Sequence, residues 1–266
     1  MNSRRGSAER IPSSWRAFAW KVRGRKEKLL ERLDEFPDSV LVTGCQRSGG
    51  TMLSRVITES EGMTKFWFSN DEELDAALIL AGVVPHAPVG RYCFQTTYLN
   101  ERVSEYRDHL THRLIWTLRN PYSVVYSMVN NWRRFALNEL FLQCGYGFMN
   151  YVDRIRFQRF GLFGIPAVRK ASYAYVGKVS QLFFLKEFYP DERLTVLEYD
   201  ALVRGKSRIL PRLYQRIDVT YKSIYCESIS ERSLSKQDRL RHGERVVVQE
   251  LAEPIYERAL SLVNLH

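Results

Sequence analysis

No apolar run in the 266-residue chain approaches the ~18 residues that a membrane-spanning helix needs. The first residues are polar and arginine-rich, without the apolar core of a secretory leader, so the expectation is a cytoplasmic protein. Cysteine is scarce and scattered at 45, 93, 144 and 226. No Cys-x-x-Cys pair or zinc-ligand spacing occurs, so reduced thiols are expected and a structural zinc is not. His109 and His112 stand three apart without other ligand types nearby, and read as a solvated helix face. No repeat or low-complexity tract breaks the chain.

What is present is globular. Hydrophobic residues make 45% of the sequence and aromatics 13%, ample for one α/β domain with a large core. The formal charge is +10, but it is unevenly placed. Residues 1–32 carry ten Lys/Arg against three Glu, leaving only +3 for the rest. The basic excess therefore belongs mainly to an arm over residues 1–36, with the main domain expected from 37 to 266. Within the arm, residues 1–12 read as disordered, while Trp15, Phe18, Ala19, Val22, Leu29, Leu30 and Leu33 have helical spacing. Such a basic amphipathic helix either packs on the protein's own core or makes peripheral contact with an anionic membrane through residues 1–33.

The chain is organised around residues 39–57. Val40–Thr43 reads as a buried strand, and the apolar positions 52, 53, 56 and 57 mark one face of a helix. Between them lies Gly44-Cys-Gln-Arg47-Ser48-Gly49-Gly50-Thr51. A strand, a glycine turn and a helix start form a phosphate cradle. Unpaired amides at the helix N-terminus point at an anion and the helix dipole favours its charge. A nucleotide triphosphatase would place lysine after the second loop glycine. Here Gly50 stands in that position, and the positive charge sits inside the loop at Arg47.

A second candidate anion site follows the strand 114–118. Asn120 suits a helix cap and Pro121 the first helical position. Arg119 at the strand end and Ser127 on the helix can then meet one anion at the sheet edge. Further strands are expected at 91–99 and 193–199, and helices at 71–81, 176–189 and 246–263. Residues 230–245 read as a solvated polar loop, with a lid over the second anion as the alternative.

These two segments resemble the PAPS-dependent sulfotransferases, which use 3′-phosphoadenosine 5′-phosphosulfate (PAPS) and release 3′-phosphoadenosine 5′-phosphate. The first is similar to that family's 5′-phosphosulfate loop, although Gly50 replaces its usual first threonine. The second is similar to its 3′-phosphate Arg/Ser pair. The resemblance implies an α/β fold with a central, mostly parallel sheet flanked by helices. It implies donor binding by Arg47, Ser48, Gly49, Gly50, Thr51, Met52, Arg119 and Ser127. Tyr199, in Glu198-Tyr-Asp-Ala-Leu, matches the tyrosine packed near the adenine. Residues 133–175, where arginines and aromatics interleave, correspond to an acceptor-side insertion.

For the catalytic base, the phenol and steroid branch uses histidine in a Lys-Thr-His-Leu stretch. The matching residues here, Gln95-Thr-Thr-Tyr-Leu99, have threonine in its place. That departure points toward the carbohydrate and tyrosylprotein branches, where a glutamate after the loop helix serves. Glu73 is the first candidate and Glu72 the second. Arg47 would neutralise charge at the transferred group, and the chemistry implies no metal. The acceptor would be a hydroxyl or amine of a glycan, glycolipid or small natural product. Two other classes remain: a P-loop small-molecule kinase, and a non-catalytic nucleotide- or nucleic-acid-binding protein.

Overall fold

The computed structural model describes residues 11–22 and 27–265. Of the stretch 1–12 expected to be disordered, residues 1–10 lie outside the described residues. Helix α1 (Trp15–Lys21) leads to strand β1 (Val40–Gly44), helices α2 (Gly50–Thr58) and α3 (Glu72–Leu80), and strands β2 (Cys93–Gln95) and β3 (Arg113–Leu118). Four helices then follow: α4 (Pro121–Asn130), α5 (Arg134–Leu140), α6 (Tyr151–Phe160) and α7 (Ala167–Lys186). Strand β4 (Leu194–Glu198) and helices α8 (Tyr199–Arg204), α9 (Lys206–Ile217), α10 (His242–Leu251) and α11 (Glu253–Leu260) complete the chain.

The four strands form one parallel sheet in the order β2-β1-β3-β4. Parallel neighbours cannot be joined by hairpins, so each connection crosses a face and covers it with helices. The strands are mostly apolar, and every strand residue except Arg113 is buried, because both faces are covered. Along β1, Val40 and Val42 join the core under α2, α8 and α9, while Leu41 joins the larger core under α3, α4 and α7. That alternation follows the two-residue period of a strand.

The amphipathic spacing at the N-terminus resolves as packing on the protein's own core. Phe18, Val22, Leu29, Leu30 and Leu33 all lie fully buried in the larger cluster. Residues 29–33 are not a continuation of α1, and only Leu33–Glu35 form a helical turn of 3₁₀ type. The expected strand at 91–99 shrinks to Cys93–Gln95, and the chain from Thr97 coils into 3₁₀ turns. The expected closing helix divides into α10 and α11, with Pro254 in the first turn of the second. His109 and His112 correct the reading of a solvated face, for both are buried. His109 Nδ1 lies 2.7 Å from Asp34, and His112 Nε2 lies 3.3 Å from the Phe36 carbonyl.

Strand register sets the place of a site. Gly44 pairs with Thr117, and Leu118 with Glu198, so β1, β3 and β4 end side by side. From β1 the chain passes first to β2 on one side and later to β3 on the other. Such a reversal of direction opens a crevice at the carboxyl ends of the strands, where ligands of open α/β sheets bind.

Candidate anion-binding cleft

Beyond Gly44 the loop is held in a shape that few residues permit. Gly44 has φ of 135° and Gly49 of 97°, both in the half of conformational space that favours glycine. A Cβ on Gly44 would overlap the Thr117 carbonyl, and one on Gly49 would overlap the ring of Tyr199. Arg47 holds φ of 71°, a strained conformation for a side chain of its size. The Ser48 hydroxyl is turned inward, fully buried, bonded to the Cys45 carbonyl and 3.0 Å from Thr117 Oγ1. Its role is to staple the loop to β3. Met52 packs its side chain against the core beneath α2.

Helix α2 starts at this loop without a side-chain cap, since its N-cap is Gly49. By contrast, α3 is capped by Asp71, α4 by Asn120 and α6 by Asn150. The first-turn amides of α2 are thus left for a ligand.

Three cations converge on the cleft lined by this loop. Arg47, Arg119 and Lys236 share it with Gly49, Gly50, Thr51, Gln95, Thr97, Tyr199 and Ser233. Arg119 is almost wholly buried; its Nε donates to Asp200 Oδ1 at 3.1 Å and its Nη2 to the Ser233 carbonyl at 2.7 Å. Its guanidinium lies 4.7 Å from the centre of the Tyr199 ring. Asn120 also donates to Asp200, so this carboxylate orients the whole turn after β3. Ser127 accepts from Arg47 Nε at 3.0 Å, which links the two sequence segments directly.

The cations also repel one another. Burial and then Arg119 lower the proton affinity of Arg47, whose guanidinium is partly enclosed although the residue reaches solvent. Burial, then Arg119, Arg47 and Arg239, lower that of Lys236. Among the described residues lining the cleft none is acidic. An anion would relieve both effects.

The Glu231–Arg239 segment correctly belongs to this site and not to a free loop. It forms 3₁₀ turns whose Ser233 and Lys236 close one side of the cleft. The sequence offered this place only as the alternative to a solvated loop, because the segment is almost wholly polar. Gln95 and Thr97 form another wall, and both donate to Glu73, Gln95 Nε2 at 2.9 Å. Behind them, buried Lys178 donates to the Thr97 carbonyl at 3.1 Å, as does Gln46 at 3.0 Å.

The two candidate bases separate clearly. Burial, opposed by the Thr97 hydroxyl and Lys178, pushes the Glu73 carboxyl up to about 7. Glu72 instead pairs with Arg55 at 2.7 Å on the α2 side. Cys45 lines the cleft, but burial pushes its thiol up to about 12, far from a reactive thiolate.

No protein-family model and no curated protein matches the sequence. Solved structures do. A sulfotransferase domain from a Synechococcus olefin synthase superposes with a TM-score of 0.51 at 13% identity, over 83% of this chain and 95% of that one. A sulfotransferase from Alicyclobacillus acidocaldarius gives 0.49 at 12%, over 85% and 95%. One from Mycobacterium avium gives 0.47 at 15%, over 94% and 81%. At such identity the likeness to the Synechococcus domain is one of fold, a single α/β domain around a parallel four-stranded sheet.

Proposed function

We propose that the chain is a sulfotransferase that takes a sulfuryl group from PAPS and gives it to a hydroxyl- or amine-bearing acceptor. The observation that carries this reading is the convergence of Arg47, Arg119 and Lys236 on one cleft beneath an uncapped helix. Two of these cations come from different strand ends. That arrangement suits a nucleotide with anionic groups at both ends of its ribose better than a single triphosphate tail. The loop also lacks the lysine that a P-loop kinase directs at β- and γ-phosphates.

The residues fit such a donor. The amides of Gly49, Gly50 and Thr51, with Arg47, would hold the 5′ end. Arg119 would take the 3′-phosphate with Ser127 beside it, closed over by Lys236. Tyr199, already stacked under the Arg119 cation, would offer its ring to the base. When bound, the donor supplies an activated sulfuryl group and a bisphosphate leaving group.

The chain's own contribution is charge and proton handling. Arg47 and the loop amides are fixed before reaction, so stabilising negative charge there costs little reorganisation. On the acceptor side, the Thr97 hydroxyl stands in the cleft wall and donates to Glu73. A proton leaving the acceptor passes to Thr97 while Thr97 gives its own to Glu73. A carboxyl that ionises near 7 suits that task.

Calorimetry tests the reading. Adenosine 3′,5′-bisphosphate should bind at least about tenfold tighter than ATP, a difference of ~1.4 kcal/mol. Equal or better binding of ATP would remove the basis for the assignment.

A further inference from the structure

The donor cleft leaves unexplained the surface built by residues 131–165. Among the described residues fifteen large hydrophobic side chains are exposed, and eight of them fall between 135 and 163. Helix α6 buries only Asp153, whose carboxylate takes Arg169 Nε at 2.5 Å and the Tyr173 hydroxyl at 2.6 Å. That anchor pins the helix to α7, Phe157 packs beside it on Phe141, and most of the remaining side chains turn outward. A water-facing helix is ordinarily polar. This one presents Tyr151 at 78% exposure and Phe160 at 63%, and the following turn presents Phe163 at 87%.

The pieces form one surface. The Arg134 guanidinium lies 5.8 Å from the Phe163 ring, and Tyr146 meets Phe157 at 5.2 Å. Lys170 ties the turn to α5 through the Leu162 carbonyl and Asn138. Five arginines (133, 134, 154, 156 and 159) stand among the aromatics against two acids, Glu139 and the buried Asp153.

We propose that this aromatic and arginine surface docks on an anionic lipid bilayer. Aromatic rings settle at the headgroup level, and arginines beside them meet lipid phosphates and carboxylates. A second copy of the chain would set like charge against like. Single-stranded nucleic acid would stack on the rings but finds no use for exposed Val152 and Leu142, which have no π face. Through Gln143, which accepts from Asn100, the same stretch adjoins the Gln46 and Thr97 wall of the cleft. On the sulfotransferase reading, which vesicle binding does not test, membrane amphiphiles become the first acceptors to try.

The test is cosedimentation of the full chain with phosphatidylcholine vesicles, with and without phosphatidylserine. Binding should require phosphatidylserine and should fall at least about tenfold, ~1.4 kcal/mol, in Phe160→Ser/Phe163→Ser and in Arg154→Glu/Arg159→Glu. Thermal melts confirm that each variant folds. Phe163→Trp, which keeps the surface intact, should gain emission quenched by brominated lipid relative to the unsubstituted protein. If the patch variants bind as the parent does, the basic arm at residues 1–32 carries the attachment and the proposal fails. It fails equally if a single-stranded oligonucleotide displaces the protein from vesicles, or if the patch variants dissociate a dimer in sedimentation.

Discussion

Glu73 shows how far a single side chain departs from its behaviour in water. Its carboxyl is raised to about 7, against an unfolded value near 4.5, chiefly by burial. Below the unfolded value both states are protonated, and the raised pKa stabilises the fold in full. As pH rises through the unfolded value and then through 7 that contribution is lost, because the unfolded chain gives up its proton while the half-buried carboxyl of the folded state still holds its own. Glu73→Gln should therefore melt higher than the parent at pH 8 and about equally at pH 4, measured by calorimetry. Transfer should respond in the opposite sense. The rate of the parent should climb with pH and level off above 7, while Glu73→Gln loses about 100-fold or more. Arg119 joins binding to stability in another way. Arg119→Ala leaves Asp200 buried with Asn120 as its side-chain partner among the described residues. A loss of about 3–5 kcal/mol in denaturant midpoint analysis should accompany weakened nucleotide binding. Neither Asp200 nor Thr97 was foreseen as a site residue. Both are ordinary in sequence and acquire their roles from what folds beside them.

At the scale of elements, two close approaches decide the arrangement. Helix α7 passes so near the turn Phe141–Gly145 that a Cβ on Gly177 would overlap the Cys144 carbonyl. Gly177→Ala should cost about 1–3 kcal/mol through this overpacking and spare the nucleotide affinity of the folded fraction. Gly49→Ala sits at positive φ and would collide with Tyr199, so it should lose nucleotide binding as well as stability. Titration and chemical denaturation of both variants separate the two. The β1, α2, β3 and α4 elements were all legible, because apolar runs, helical spacing and the Asn120-Pro121 cap are local signals. The placing of the 231–239 segment, a lid only as the second reading, and the shortness of β2, expected over 91–99, were not. The segment is held by Arg119 at the end of β3, more than a hundred residues earlier, and β2 is cut short where the chain must turn Thr97 toward Glu73.

For the whole molecule, binding at a crevice made by β1, β3, β4 and the 231–239 segment should tie distant parts of the chain together. Adenosine 3′,5′-bisphosphate at 100 times its Kd should add about 2.7 kcal/mol. For a chain of this size that raises Tm by roughly 5–10 °C in a thermal scan. The same nucleotide should leave the Tm of Arg119→Ala nearly unchanged.

By itself the sequence determined the loop, its Arg47 and the Arg119 turn, while the parallel sheet that carries them was implied by the family resemblance and is shown by the structure. The loop and the turn depend on hydrophobic period, glycine placement and caps, interactions that reach only a few residues along the chain. Tertiary structure alone decided that Ser127 would bond Arg47, that Glu73 and not Glu72 would face Thr97, and that Lys236 would close the cleft. It likewise turned most of the aromatics of 135–163 outward, Phe141 and Phe157 excepted, where composition would have buried them. Contacts between residues tens of positions apart leave no periodic trace, and burial that shifts a carboxyl exists only once the chain has closed around it.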